Sequence, residues 1–243
     1  MMHSSSTDQN ILQIVTAAAR TTIEDVINVM QRLDGVLPSN DGLKWFNLLY
    51  LMVTREVHDH PPADGWRDVQ WTTHLDVVFA NFYFAAIANF LGQRAATPSS
   101  WQALFEVRHR GGIDRIQFAL AGMNAHINHD LSLALLQTND ELHRIPRRNS
   151  AAHDDFEYIN VLLEAVLPRA LEFLSTGILG EVVQDKGKIG RLLAIWKVRV
   201  ARDLAWDFAN HLRHLTGVAR HVALRVQDKL TGALSRGLLL AIQ

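Results

Sequence analysis

The chain contains no cysteine. That absence excludes disulfides, thiolate-held zinc and cysteine nucleophiles, so any metal would have to be held by histidine and carboxylate groups. It also has little net charge, −1 formally over 243 residues. A near-neutral chain whose densest basic run is the short stretch 144–148 lacks the electrostatic footprint of a nucleic-acid binder. The longest uncharged run, from Val77 to Gln93, falls short of a usual transmembrane span and includes Asn81, Asn89 and Gly92, so no stable membrane insertion is expected. The start, Met1 to Asn10, is polar and serine-rich with no apolar stretch of the signal-peptide kind. It reads as a disordered tail over residues 1–10 ahead of one domain over 11–243, with cytoplasmic location as the default. Missing too are a phosphate-cradling glycine loop, a dinucleotide fingerprint, an H-E-x-x-H pair and a G-x-S-x-G elbow. No segment shows period-two alternation with a hairpin turn, so no sheet is expected.

What is present is helix. At 48% hydrophobic and 20% charged, the chain is globular and long enough for one large core. Five of its six prolines, Pro38, Pro61, Pro62, Pro98 and Pro146, mark loops, and Pro168 marks a kink or break within a long helix. Between them, apolar residues recur at helical spacing, as in Phe46, Leu49, Tyr50 and Val53. The spacing predicts helices over about 11–19, 21–33 (a capping box from Thr21 to Glu24), 43–57 (capped by Asp41), 69–91, 100–107, 113–137, 154–174, 192–215 and 218–241. The fold class is therefore all-α, a single-domain multi-helix bundle.

The densest chemistry lies in Gly122-Met123-Asn124-Ala125-His126-Ile127-Asn128-His129-Asp130-Leu131. His126 and Asp130 are four apart and share a helix face, with His129 beside them. Buried polarity of this density must be satisfied internally, by water, by a metal or by a ligand. Neutral imidazole and carboxylate suit zinc, iron or manganese, and the alternative is a hydrogen-bond network in which Asp130 orients a histidine. A second stripe, Arg199, Asp203, Asp207, His211 and His214, repeats the pairing in reverse as Asp207-x-x-x-His211. Its plainer reading is an exposed ion-pair ladder. Asp76 is a carboxylate inside the apolar run Leu75-Asp76-Val77-Val78-Phe79-Ala80 and is costly there unless paired.

The blocks Trp45-Phe46-Asn47-Leu48-Leu49-Tyr50, Leu75 to Phe84, Gly122 to Leu131 and Arg202-Asp203-Leu204-Ala205-Trp206 resemble those of a helical family known only as a domain of unknown function. The resemblance covers most of the chain after about residue 20 and implies that Asp76, His126, Asp130 and the 202–206 block belong together. A weaker likeness is to zinc-dependent phospholipase C and the P1-type nucleases, whose H-x-x-x-D pair His126 and Asp130 resemble, although the N-terminal Trp ligand of those enzymes is missing. His129-Asp130 also matches the dipeptide of HD-type phosphohydrolases.

Three functions are expected from this reading. The first is a metal-dependent hydrolase of an ester or phosphoester, with His126, Asp130, Asp207 and His211 as ligands to a divalent ion and His129 and Asp76 as catalytic groups. The second is a metal-free helical enzyme that tailors or cyclises an apolar substrate contacted by Trp45, Tyr83, Asn128 and Trp206. The third is a helical interaction protein without catalysis. A small-molecule substrate is the expected partner, and self-association is left open.

Overall fold

A computed structural model describes residues 5–17, 19–93, 95–175 and 197–240. Among these residues are ten α-helices and one π turn, and no strand. The helices are α1 (Ser6–Thr16), α2 (Ile23–Val36), α3 (Gly42–Asp59), α4 (Val69–Gly92), α5 (Ser99–Phe105), α6 (Arg115–Ala125), α7 (Leu131–Glu141), α8 (Ala151–Ser175), α9 (Val198–His214) and α10 (Gly217–Leu238), and the π turn, His126–Asp130, joins α6 to α7.

Local chemistry sets most of the helix starts. Asp41 caps α3 by accepting the Leu43 N–H, and Asp68 caps α4 by accepting that of Trp71. The box that opens α2 lies one residue later than the spacing predicts: Thr22 accepts the Asp25 N–H, and the Asp25 carboxylate accepts that of Thr22. α1 begins at Ser6, inside the stretch expected to be a tail. Ser5 caps it, and Asp8 pairs with the buried Arg108, a tertiary tie that no local pattern discloses. The start of the helix expected over about 192–215 lies outside the described residues.

α3 and α4 sit at the centre. α3 packs on α2, α6 and α8, while α4 packs on α1 and α7. α4 is long and apolar enough, by length and composition, to cross a membrane. Here Trp71, Tyr83 and Phe84 along it are fully buried in the bundle. The α3–α6 crossing is close because Gly122 has no side chain: a Cβ there would stand 2.3 Å from Cγ of Phe46. Gly122→Ala must therefore push back a buried ring. It is expected to cost about 1–3 kcal/mol, the usual penalty of overpacking, read as a lower urea midpoint at unchanged m-value. An alanine variant as stable as the parent would show that this crossing has slack.

Candidate functional site

The continuous helix expected over 113–137 is interrupted where its polar residues cluster. At the π turn the Leu131 N–H bonds back to the His126 carbonyl, one residue further than in an α-helix. Single π turns inside helices are frequent at functional sites. This one touches α4, α9 and α10, so its side chains meet three other helices.

Asp130 organises them. Its carboxylate accepts from Nδ1 of His126 at 2.9 Å, from Nδ1 of His129 at 2.8 Å and from Nε1 of Trp101 at 2.9 Å. Burial pushes the Asp130 carboxyl up, but the bonds and charges of the two imidazoles outweigh it and hold it below its ordinary value. The carboxylate is thus ionised and can only accept, which places a proton on Nδ1 of each histidine.

The two imidazoles then diverge. Burial lowers the His126 pKa despite Asp130, so this ring is neutral, with a lone pair on Nε2. That atom is buried and has no hydrogen-bond partner. The ring stacks on Phe79 at 3.6 Å between centroids and meets the edge of Tyr50 at 4.5 Å. For His129, burial also lowers the pKa, but the bond to Asp130 and the charges of Asp130 and Asp228 reverse the shift. Its Nε2 faces Asp228 at 3.7 Å, away from the cavity that His126 lines.

That cavity, about 70 Å³, opens between α3, α4, the π turn, α8 and α9. Such a volume holds roughly four or five waters or one small molecule. Its wall is apolar, with Leu49, Val53, Leu75, Phe79 and Leu163 among its residues, and its polar groups are few: His126, Asp76, Tyr50, Thr54 and Arg202. Burial raises the Asp76 carboxyl to about 7, against the opposing charge of Arg202. Burial together with the charges of Asp76 and Asp130 keeps the Tyr50 phenol protonated. Arg202 remains cationic although burial lowers it to about 10.

The expected convergence of Asp76, His126 and Asp130 is therefore met in part. Asp76 and His126 share one cavity, and Asp130 stands behind His126. From the 202–206 block the residue that arrives is Arg202, not the acidic stripe. α9 buries Ala201, Arg202, Ala205, Trp206, Ala209 and Leu212, and this turns Asp207 and His211 outward. Asp207 is exposed and paired with Arg148 at 2.7 Å. His211, also exposed, shares with Asp207, Asn128 and Gln227 a separate groove on the outside of α9. The structure does not bring Asp207 and His211 into the cavity that His126 lines. The Asp130 oxygens already serve three donors, His126 has only Nε2 left, and no group of three or more His, Asp or Glu side chains among the described residues is placed to hold an ion.

The residues expected to contact substrate also lie elsewhere. Tyr83 is fully buried, its hydroxyl 3.4 Å from Asn47 Oδ1. Trp45 is buried beneath the Arg115 guanidinium, and Trp206 is packed among Trp71, His153 and Phe156. Asn128 bonds to Asn124 at 2.8 Å. Trp45, Tyr83 and Trp206 are packing positions, each large ring filling the space between helices, while Asn128 lines the outer groove. Residues the sequence did not single out as site residues, Tyr50, Phe79 and Trp101, surround His126 instead. Tyr50 and Phe79 are visible in sequence only as members of apolar stripes, and Trp101 comes from a helix of seven residues, Ser99–Phe105. Only the tertiary arrangement distinguishes them.

No curated protein and no solved structure matches the chain significantly. The model of a family of unknown function, DUF5995, matches residues 23–241. That span holds the π turn, Asp76 and Arg202, and the chain belongs to this family.

Proposed function

We propose that the chain is a metal-free helical enzyme that takes a small, largely apolar molecule into the central cavity and moves a proton to or from it. The observation that carries this reading is the buried, unpartnered Nε2 of His126 on a ring whose Nδ1–H is held by Asp130. A neutral imidazole whose tautomer is fixed by a carboxylate is a prepared general base. Asp76, close to half-protonated at neutral pH, supplies an acid on the same apolar wall. A pair of titratable groups with opposed shifts is the arrangement expected of acid–base work. Isomerisation or cyclisation of an apolar substrate needs no more than such a pair and a shape-selective cavity. A metal-dependent hydrolase is the weaker reading, since the donor set does not fit an ion.

Nitrogen-15 NMR of the histidine side chains tests the proposal. His126 is expected to carry its proton on Nδ1 at pH 7.5 and to titrate below 6.5, and its signals should move when small apolar ketones or alcohols are added. A His126 that titrates freely near 6.5, or whose signals ignore every such molecule, would remove the basis for a cavity base.

A further inference from the structure

We infer that the central cavity selects a small molecule bearing a carboxylate, with the Arg202 guanidinium as its anchor. The inference rests on the reading of the cavity as a small-molecule site and adds the class of that molecule.

Arg202 is buried, 5% exposed, and lines the cavity. It is held rigidly: Nε donates to Asn160 Oδ1 at 2.8 Å, Nη2 donates to the Phe156 carbonyl at 2.7 Å, and the guanidinium lies over the Phe156 ring at 4.1 Å. Of the five N–H groups of a guanidinium, these bonds use two. The other three have no acceptor among the described residues. No carboxylate of those residues forms an ion pair with it. Asp76 influences Arg202 only at longer range, and its other acidic neighbours, the half-buried Glu157 and Asp203, also act through space.

Buried guanidinium groups are ordinarily paired, because an unpaired charge in an apolar setting is costly. A planar fork that lines an apolar cavity, fixed in place with donors unused by the described residues, matches a carboxylate that can take two parallel N–H bonds. The rest of the wall sets the remainder of the ligand. Leu49, Val53, Leu75 and Phe79 surround an aliphatic or alicyclic body and offer no further anion site. The ligand is thus a small monocarboxylate with an apolar body, and His126 and Asp76 face that body rather than a second charged group.

The test compares hexanoate, hexanamide and hexylamine as probes of the full-length protein by calorimetry, with the His126 NMR signals reporting cavity occupancy. Hexanoate is expected to bind at least tenfold more tightly than hexanamide, and hexylamine not to bind. In Arg202→Met, hexanoate should lose that advantage while hexanamide binds as before. Because Arg202 also holds Asn160 and Phe156, this variant can fail to fold, and the comparison within the parent protein then decides alone. Equal binding of acid and amide, with His126 responding to both, overturns the carboxylate anchor and leaves the cavity site standing. A hexanoate preference that survives in folded Arg202→Met overturns the role of Arg202. Silence of His126 toward all three probes overturns the inference together with the site.

Discussion

Asp130→Ala is expected to destabilise the protein by about 3–5 kcal/mol, the cost of breaking a buried charge pair by removing one partner. For a chain of this length that is a fall in Tm of roughly 6–20 °C. The magnitude follows from what the carboxylate does. It accepts from two imidazoles and an indole, all buried, and all three donors lose their acceptor in the alanine variant. Asp130→Asn keeps the shape and one acceptor oxygen but turns an N–H toward a site that needs an acceptor. It should lose less stability, while the His126 proton shifts away from Nδ1. Thermal unfolding of the two variants beside histidine NMR separates the structural from the orienting effect. A cost below about 1 kcal/mol for Asp130→Ala would mean that water replaces the carboxylate and that the network is not held by it.

Asp76→Asn is expected to act in the opposite sense, raising stability at alkaline pH while abolishing the proton transfer proposed above. Asp76 receives no hydrogen bond or ion pair from the described residues, and burial raises its pKa to about 7 from an ordinary 3.8. Between about pH 4 and 7 the folded state therefore binds more protons at this group than the unfolded state. Stability contributed by the protonated form is complete below pH 4 and is lost as pH rises to 7. Above that, the ionised carboxylate is a standing penalty on the order of 2–3 kcal/mol, allowing for the water the cavity admits. The asparagine variant removes the penalty, so its stability advantage should be small at pH 5 and largest at pH 8. His126 contributes the reverse slope. Its depressed pKa means that stability is lost as pH falls below about 6.5, so the parent alone shows a blurred profile. The difference between parent and variant urea midpoints across pH isolates Asp76. A difference that does not grow from pH 5 to pH 8 would show that Asp76 titrates like a solvated carboxylate.

A group kept at a cost to stability is expected at a functional position. Asp76 is such a group, and it was legible in the sequence for that reason: a carboxylate within Leu75 to Ala80 breaks an apolar pattern. His126 and Asp130 were legible by their spacing. Arg202 was visible only as part of a block, and its importance depends on what does not stand beside it. Tyr50 and Phe79 carry only the signal of an apolar stripe, because an aromatic that flanks a cavity has the same helical spacing as one that fills a core.

The helical class, most of the helix limits and the cap at Asp41 follow from local pattern, because periodicity and capping act over three or four residues. Local pattern also placed the polar cluster at 124–130. Which faces turn inward depends on packing between helices far apart in the chain. Asp207 and His211 have the same spacing as His126 and Asp130, yet the alanines, Trp206 and Leu212 of α9 claim the interior and leave them in water. On α10 the outcome is further from the pattern. Val222, Val226, Leu230 and Leu234 are exposed, while Thr231 and Ser235 are buried against Asn124. The reason is pairing at a distance. The side chain of Asn124 on α6 needs acceptors when buried, and the Thr231 carbonyl and Ser235 hydroxyl, more than 100 residues away, supply them. Neither partner shows in its own stretch of sequence that the other is there.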